Sequence, residues 1–466
     1  ACTYGSIFCY GRHASLRALL FFLLLSLVLT STVSTTLARS LRKRVEHFER
    51  LHRGMGTPVE ILFQAFPWNA SVDGQKFIWY RHLESKVDDL ARAGVTHVWF
   101  PPPCRSVAPQ GYLPGDWYDL GHGDELGHNR TLYGNQRELK SCIHAFHERN
   151  IQCLADIVVN HRCASHKDAS GNWNIYHFPS GKAKWEQWAI VGGDTGGQGA
   201  PDSGDDFGAA PDIDHSNERV REDILAWLQW LREKVGFDGW RFDFTKGYDG
   251  RYAAEYARKS KASFAVGELW TSMNYDGSYL LPNQNDHRQS LCDWLDDAGG
   301  VVRTFDFTTK GLLQVACRRG EYWRLQDEQG KAAGLIGWWS DRAVTFIDNH
   351  DTGSSQAHLP FPGDKVLTGY AYIMTHPGVP TIFWEHFFQW GEATQDVIAS
   401  LARLRHELGI SRTSMLNILI AEQGRYVAQI DDSCILKIGS AEFAPSSGSW
   451  VERISRDDFT IWSRDE

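Results

Sequence analysis

Polar residues that could carry acid–base or nucleophilic chemistry stand at the ends of several short apolar runs. They are Asp156, His161, Arg241, Asp243, Glu268, His350 and Asp351. Three carboxyls brought together can hydrolyse a glycosidic bond, with one as nucleophile, one as protonated general acid and one to hold the distorted sugar. Each residue alone has a structural alternative, such as a loop cap or a turn at the start of a helix. Because these residues stand at the ends of several separate runs, the catalytic interpretation is favoured over the structural one.

The densest of these runs alternates apolar and charged residues. Trp240, Phe242 and Phe244 take one set of alternate positions, and Arg241 and Asp243 take the other. This period of two predicts a strand with one face toward apolar neighbours and one face toward a polar space. A guanidinium beside a carboxyl favours the ionised form, as a nucleophile requires. A structural ion pair at the end of a strand is the alternative.

Eight apolar runs of this kind alternate with helical patterns along the chain. The predicted strands cover residues 60–66, 95–100, 152–159, 237–243, 264–268, 302–306, 343–347 and 381–384. Repeated β and α units predict a parallel sheet with right-handed crossovers. Eight units predict an α/β protein with a (β/α)₈ TIM barrel, whose active site lies at the carboxyl ends of the strands.

Two departures from this alternation predict additional domains. A long excursion rich in Gly, Asp and Asn follows the third strand and predicts an inserted loop domain. Near the end, short β-like runs at residues 417–421, 426–430, 434–438 and 459–462 predict a C-terminal antiparallel β domain. We expect the barrel at 58–160 and 216–411, the inserted domain at 161–215 and the β domain at 412–466.

The N-terminal residues 1–38 are typical of a secretory leader. Arg12 and Arg17 precede an apolar run at 18–30, and small residues follow as far as Ala38. The run is short for a membrane span. We therefore expect entry into the secretory pathway, with an extracellular or vacuolar location, and no membrane contact after leader removal. A plastid leader is the alternative, and residues 39–57 are interpreted as a linker.

Composition narrows the class of partner. A net charge of −9 without a large basic block argues against nucleic acid. Nineteen tryptophans suit stacking on sugar rings as well as core packing, and so favour a carbohydrate partner only weakly. Nine scattered cysteines without close pairs predict mostly buried free thiols, with one or two disulfides as the alternative.

Four motifs resemble, in order, the four sequence signatures of the α-amylase family. They are LADIVVNH at 154–161, GWRFD at 239–243, VGELW at 266–270 and FIDNHD at 346–351. The stretches 94–99, 210–215 and 305–311 resemble plant and green-algal members in particular. The resemblance implies an endo-acting, retaining hydrolase of α-1,4-glucosidic bonds in starch and maltooligosaccharides, acting as a monomer. A debranching or transglycosylating enzyme, or an inactive starch-binding protein, are the alternatives.

The resemblance also implies residue roles. Asp243 would be the nucleophile, Glu268 the general acid and base, and Asp351 the carboxylate that supports the transition state. Substrate contacts would come from Tyr112, His161, Arg241, Lys246 and His350, and a surface site from the pair Trp338 and Trp339. Packing is the alternative for Tyr112 and for one of the paired indoles.

A calcium ion is expected in the inserted domain. Residues 202–207 and Asp212 supply many hard oxygen ligands, which suit Ca²⁺, although a solvated acidic turn has the same composition. The resemblance implies ligands from Asn160, Asp202 and Asp212 and from the backbone oxygens of Asp205 and Gly247. Such an ion would tie the inserted domain to the barrel.

Overall fold

The computed structural model describes residues 57–70, 78–122, 130–446 and 449–465. The predicted leader, and the predicted linker apart from its last residue, lie outside the described residues. Among the helices within these ranges, none is long and apolar enough to cross a membrane.

Eight parallel strands close into a barrel, as predicted. The strands are β1 Leu62–Gln64, β2 His97–Trp99, β3 Gln152–Ile157, β4 Gly239–Phe242, β5 Ala265–Gly267, β6 Arg303–Phe305, β7 Ala343–Thr345 and β8 Val379–Phe383. Each strand pairs with its neighbours in sequence, and β1 closes the barrel on β8 with Leu62 opposite Thr381. Almost every strand residue is buried, because a parallel barrel is covered on both faces.

Helices form most of the crossovers between these strands. They are α1 Trp79–Glu84, α2 Val87–Ala93, α3 Gln136–His147, α4 Glu218–Trp230, α5 Gly250–Lys259, α6 Asn285–Asp297, α7 Phe307–Arg319, α8 Ile336–Trp339, α9 Val366–Thr375 and α10 Glu392–Glu407. Local sequence sets their ends. The α3 helix begins at a capping box, in which the Asn135 side chain accepts from the Glu138 N–H at 2.9 Å and Glu138 accepts from the Asn135 N–H at 3.1 Å.

The segment between α4 and β4 leads into the strand that positions Arg241 and Asp243. A π-helical turn, Leu231–Val235, extends α4 and ends at Gly236, whose φ of 115° favours glycine. The predicted alternation through Phe244 is wrong at its end, because β4 stops at Phe242 and Phe244 has a left-handed φ of 46°. Asp243 is therefore the first residue beyond the strand, at the mouth of the barrel.

The inserted segment, residues 161–215, follows β3. It contains a hairpin of His166–Lys167 with Trp173–Ile175 and a 3₁₀ turn at Gln187–Ala189. Arg162 is completely buried, with its guanidinium 4.5 to 5.3 Å from four aromatic rings. It also donates to the Gly115 and Ala183 carbonyl oxygens at 2.8 and 2.9 Å. This small core gives the segment a fixed shape.

The C-terminal residues form one antiparallel sheet. Its strands are β9 Leu416–Glu422, β10 Arg425–Ile430, β11 Cys434–Ile438, β12 Trp450–Arg456 and β13 Phe459–Arg464, in the order β9-β10-β11-β13-β12. The predicted runs match four of the five. The prediction missed β12, because this edge strand is exposed at most positions and has no apolar pattern.

All seven cysteines of the described residues are free thiols. Five of them are buried, and Cys163 and Cys292 are half-buried. The free-thiol prediction is confirmed for this part of the chain, while Cys2 and Cys9 lie outside it. The predicted domain limits stay predictions.

Candidate active site

A single guanidinium gathers three carboxyls at the barrel mouth. Arg241, from β4, is completely buried. Its Nη1 donates to Asp156 Oδ1 at 2.8 Å and to Asp243 Oδ1 at 2.6 Å. Its Nη2 lies 2.7 Å from Glu268 Oε1, just beyond the end of β5. The structure thus brings two of the predicted catalytic carboxyls together, and it adds Asp156 from β3 as a direct partner.

Burial has the largest effect on the pKa values of the carboxyls around Arg241. It raises the pKa of Asp243 to about 7 and of Glu268 to about 8, although Arg241 lowers both. We expected the arginine to decide the pKa of Asp243, but desolvation outweighs it. Three carboxyls face one guanidinium, so the group retains a proton. Asp243 accepts an aligned bond from Arg241, whereas Glu268 Oε1 has no aligned donor among the described residues. The retained proton therefore belongs on Glu268.

The loop after β7 brings His350 and Asp351 to the same mouth. Burial lowers the pKa of His350 to about 4, so its ring is neutral. Its Nδ1 lies 2.7 Å from the Gln64 side-chain amide nitrogen, which donates to it. The proton then sits on Nε2, which lies 3.4 Å from Asp351 Oδ2. The sequence prediction missed Gln64, although its place at the end of β1 is a signal.

Three nearly parallel aromatic rings lie close together beside the carboxyls. The Tyr112 ring lies parallel to His350 at 5.1 Å, and Trp68 is nearly parallel to both rings, with centroids 6.0 and 5.9 Å away. The Tyr112 hydroxyl donates to Asp156 Oδ2 at 2.8 Å. Tyr112 is therefore both packed and bound to the carboxyl group. Trp68, four residues after the end of β1, was not among the predicted site residues.

His161 and Lys246 differ in access. His161 is completely buried, and its Nε2 donates to the Tyr112 carbonyl oxygen at 2.8 Å. Lys246 is partly exposed and lies 3.6 Å from Asp205 Oδ2. It lines a cleft of about 510 Å³ that also contains Glu268 and Trp270. Of the two, only Lys246 faces open space beside Glu268.

The paired tryptophans lie elsewhere in the fold. They belong to α8, which leads into the amino end of β7, whereas the carboxyl cluster lies at the other end of the barrel. Both indoles are half-buried. Trp338 lies over the Arg288 guanidinium at 3.8 Å, and Trp339 packs against the main core.

The predicted metal ligands converge beside the chain that follows Asp243. Carboxylate oxygens of Asp202, Asp206 and Asp212 lie within 4.8 Å of one another. Asn160 Nδ2 donates to Asp212 Oδ1 at 2.8 Å. Asn160 Oδ1 and Asp202 Oδ2 are buried and have no donor among the described residues. Unpartnered hard oxygens in a concentrated negative charge fit a calcium ion. Asp206 belongs to the predicted acidic stretch 202–207 but was not among the implied ligands.

Gly247 and Asp205 complete this region from the backbone. A Cβ atom at Gly247 would lie 2.0 Å from Asn160 Oδ1, so only glycine allows this approach. The Asp205 N–H donates to the Lys246 carbonyl oxygen at 3.0 Å, and the Asp205 side chain is exposed. Gly247 therefore lies against the unpartnered Asn160 oxygen, and Asp205 is hydrogen-bonded to the residue before Gly247.

Comparison with known proteins identifies the family. The model of the α-amylase catalytic domain matches residues 80–276, and that of the α-amylase C-terminal β-sheet domain matches residues 407–463. Probable alpha-amylase 2 of Arabidopsis thaliana is 42% identical over 405 residues, which are 87% of this chain and 94% of that protein. The chain belongs to the α-amylase family. The resemblance seen in the four motifs is thereby confirmed.

A further relative and two solved structures extend the comparison. Alpha-amylase 3, chloroplastic, of Arabidopsis thaliana is 43% identical over 417 residues, which are 89% of this chain but only 45% of that protein. An α-amylase of Geobacillus thermoleovorans, solved with acarbose, superimposes with a TM-score of 0.62 at 16% identity and covers 87% of this chain and 98% of its own. A cyclomaltodextrin glucanotransferase superimposes with a TM-score of 0.65 at 16% identity, covering 87% and 99%. These two structures support the fold.

Proposed function

We propose that this protein is an endo-acting α-amylase that hydrolyses α-1,4-glucosidic bonds in starch and maltooligosaccharides with retention of configuration. The observation that carries the proposal is the cluster of Asp156, Asp243 and Glu268 around Arg241 at the mouth of an α-amylase barrel. The residue types that the family signatures require are all present, which argues against an inactive starch-binding protein.

The proposed reaction has two displacements. The Asp243 carboxylate attacks the anomeric carbon and forms a glycosyl ester, while Glu268 gives its proton to the departing glycosidic oxygen. Glu268, now ionised, then takes a proton from water as that water attacks the ester and releases Asp243. Asp351 binds sugar hydroxyls and supports the positive charge of both transition states.

The surrounding residues orient the sugar and the nucleophile. Arg241 holds Asp243 through an aligned bond of 2.6 Å and favours its ionised form. The nearly parallel rings of Trp68, Tyr112 and His350 offer an aromatic surface to the sugar at the cleavage point. Lys246 lies in the cleft beside Glu268, where the leaving part of the glucan chain would pass.

We further propose that a calcium ion binds beside the inserted segment. Its ligands would be Asn160, Asp202, Asp206, Asp212 and the backbone oxygens of Asp205 and Gly247. The bound ion supplies positive charge among carboxylates that otherwise repel one another. Gly247 lies four residues after Asp243, so holding Gly247 against Asn160 restrains the chain that carries the nucleophile.

Reducing-end release from soluble starch tests the catalytic proposal, with the product anomer followed by NMR. We expect the wild type to release α-configured maltooligosaccharides, and Glu268→Gln and Asp243→Asn to lose about 10²- to 10⁴-fold in kcat. The control is Glu186→Gln, an exposed carboxyl of the inserted segment. A folded wild type that releases nothing would support the starch-binding alternative. Cleavage of branch points or glucan transfer would support the other alternative.

We also propose that residues 1–38 direct the chain into the secretory pathway, toward an extracellular or vacuolar location. The basic residues ahead of the apolar run at 18–30 support this. A fluorescent protein fused behind residues 1–57 reports the destination. Fluorescence in plastids would overturn the secretory proposal.

A further inference from the structure

A second cleft lies apart from the carboxyl cluster, and the proposed reaction does not use it. Its volume is about 290 Å³, at the lower edge of the usual range for ligand pockets of about 300–1,000 Å³. The residues that matter for its chemistry are Asn283, Asn285, Trp323, Gln326, Asp327 and Glu328. It shares no lining residue with the cleft beside Glu268. We call it the Trp323 cleft.

One buried arginine fixes the two walls of the Trp323 cleft. The walls are the start of α6 and the turn at residues 326–333. Arg288, which is completely buried, donates at 3.0 Å to Asn285 Oδ1 on the first wall. It also donates at 3.0 Å to Asp327 Oδ2 and to the Ala332 carbonyl oxygen on the second. The cleft is therefore held open by hydrogen bonds and does not depend on a ligand for its shape.

Trp323 gives the cleft an exposed aromatic surface. The side chain is 37% exposed, although it is large and apolar. The Arg324 guanidinium lies 4.9 Å from the centre of the indole. Arg324 is itself buried and fixed by bonds to the Glu321 carboxylate and the Leu280 carbonyl oxygen. The indole is thus held in place with part of its surface uncovered, as in sites that stack on a ligand.

The polar groups of the cleft indicate a neutral ligand. Asn283, Asn285 and Gln326 contribute amides, and Asp327 and Glu328 contribute carboxylates. No Lys or Arg is among the described residues that line it, and it holds two carboxylates, so it is poorly suited to a phosphate or another anion. Amides and carboxylates around a flat indole match the hydroxyls and the apolar face of a sugar ring.

We propose that the Trp323 cleft binds one or two glucose residues of an α-glucan chain, at a site separate from the carboxyl cluster. The choice of a glucan rests on the proposed function. The guanidinium of Arg288, which fixes the cleft, also lies 3.8 Å from the centre of the Trp338 ring. Arg288 thus contacts both a wall of the cleft and Trp338, so the cleft and the tryptophan pair are neighbours in the fold.

Adsorption of the full chain carrying Glu268→Gln to starch granules tests the site without requiring hydrolysis. Adding Trp323→Ala should weaken adsorption about tenfold, as the loss of a central aromatic contact does. Trp323→Phe keeps a ring and should retain most of the affinity. The matched control is Trp173→Ala, which removes another exposed indole that also lies beside a cation. Unchanged adsorption by Trp323→Ala, or equal loss with Trp173→Ala, would overturn the proposal.

A second measurement needs no substitution at Trp323. Hydroxyl-radical footprinting of the Glu268→Gln chain with maltoheptaose should protect Trp323 from oxidation and leave Trp173 unprotected. Absence of protection at Trp323 would contradict the site. With Glu268 unaltered, Trp323→Ala should hydrolyse a short soluble maltooligosaccharide at the wild-type rate. If the wild type itself is inactive while Trp323 is protected, the proposed hydrolysis fails and the binding site stands.

Discussion

Glu268 is the residue whose proton the proposed reaction uses first, so its pKa sets an upper pH limit. Burial raises that pKa to about 8. The acid form is present below this value and disappears above it. We expect kcat/KM for a maltooligosaccharide to fall about tenfold per pH unit above pH 8. A pH series from 4 to 10 measures this.

The acidic side of the same pH–activity profile should be set by Asp243, which must be ionised to act as the nucleophile. Burial raises its pKa as well, so activity should decline on acidification from a higher pH than an ordinary aspartate would give. Glu186→Gln is the control and should leave both limbs in place. If activity is instead lost above a pH of about 4.3, the ordinary pKa of a glutamate, Glu268 is not the acid.

At the scale of elements, α7 holds the loop that carries His350 and Asp351. Lys310 on α7 has a 2% exposed side chain, lies 3.5 Å from Asp348 Oδ1 and donates to the Leu359 carbonyl oxygen at 2.6 Å. Asp348 in turn accepts from the Phe361 N–H at 3.1 Å. Lys310 therefore contacts both ends of the loop, at Asp348 and at Leu359, from one buried position.

Lys310→Met should both destabilise the protein and slow it. Removing one partner leaves the Asp348 carboxyl buried without its cation, which costs about 3–5 kcal/mol in the free energy of unfolding. Urea unfolding measures this cost, and kcat/KM should fall as the loop loses its position. Lys259→Met, which breaks an exposed pair with Glu255 on α5, should change stability by less than about 0.5 kcal/mol. Equal effects of the two substitutions would contradict the role of Lys310.

The inserted segment should depend on calcium for its attachment to the barrel. Ca²⁺ should raise the Tm of the wild type, because an ion that binds only the folded state stabilises it. Asp212→Asn should remove most of that rise, whereas Glu186→Gln should keep it. Thermal unfolding in Ca²⁺ and in chelator measures the difference. A Tm that is the same in both media would count against the site.

The sequence predicted these elements unevenly, for physical reasons. The barrel strands were predictable, because burial on both faces leaves a local signal of apolar runs. The β12 edge strand left none, since most of its positions are exposed. The end of β4 at Phe242 was also not predictable, because the left-handed turn at Phe244 depends on contacts made by the folded chain.

The residues of the candidate site also divide into those that the sequence predicted and those that it did not. Asp243, Glu268 and Asp351 were predictable because they belong to recognisable motifs at strand ends. Gln64 and Trp68 were missed, because their value comes from a partner far along the chain: Gln64 contacts His350, 286 residues away. The substitutions Asp243→Asn and Glu268→Gln test the predicted roles of those two carboxyls.

At the scale of the whole molecule, the core is continuous from the barrel into the C-terminal sheet. Leu436 and Ile438 of β11 belong to the same buried cluster as the barrel strands. The Tyr426 hydroxyl lies 2.8 Å from His376 Nε2 across this boundary. Lys365 and Asp458 form an ion pair across it. The barrel and the sheet should therefore unfold together.

Calorimetry should show one unfolding transition for the barrel and the sheet. Tyr426→Phe leaves a buried histidine nitrogen without its partner and should cost about 1–3 kcal/mol while keeping the single transition. Tyr275→Phe alters a 43% exposed tyrosine and serves as the control. Two resolved transitions in the wild type would show that the sheet is an independent unit.

Inhibitor design can exploit the shortage of positive charge around Arg241. A sugar mimic with a protonated ring nitrogen would supply the second cation that three carboxyls lack, whereas a neutral mimic of the same shape would not. Its affinity should rise with pH as those carboxyls ionise, until its own nitrogen loses the proton.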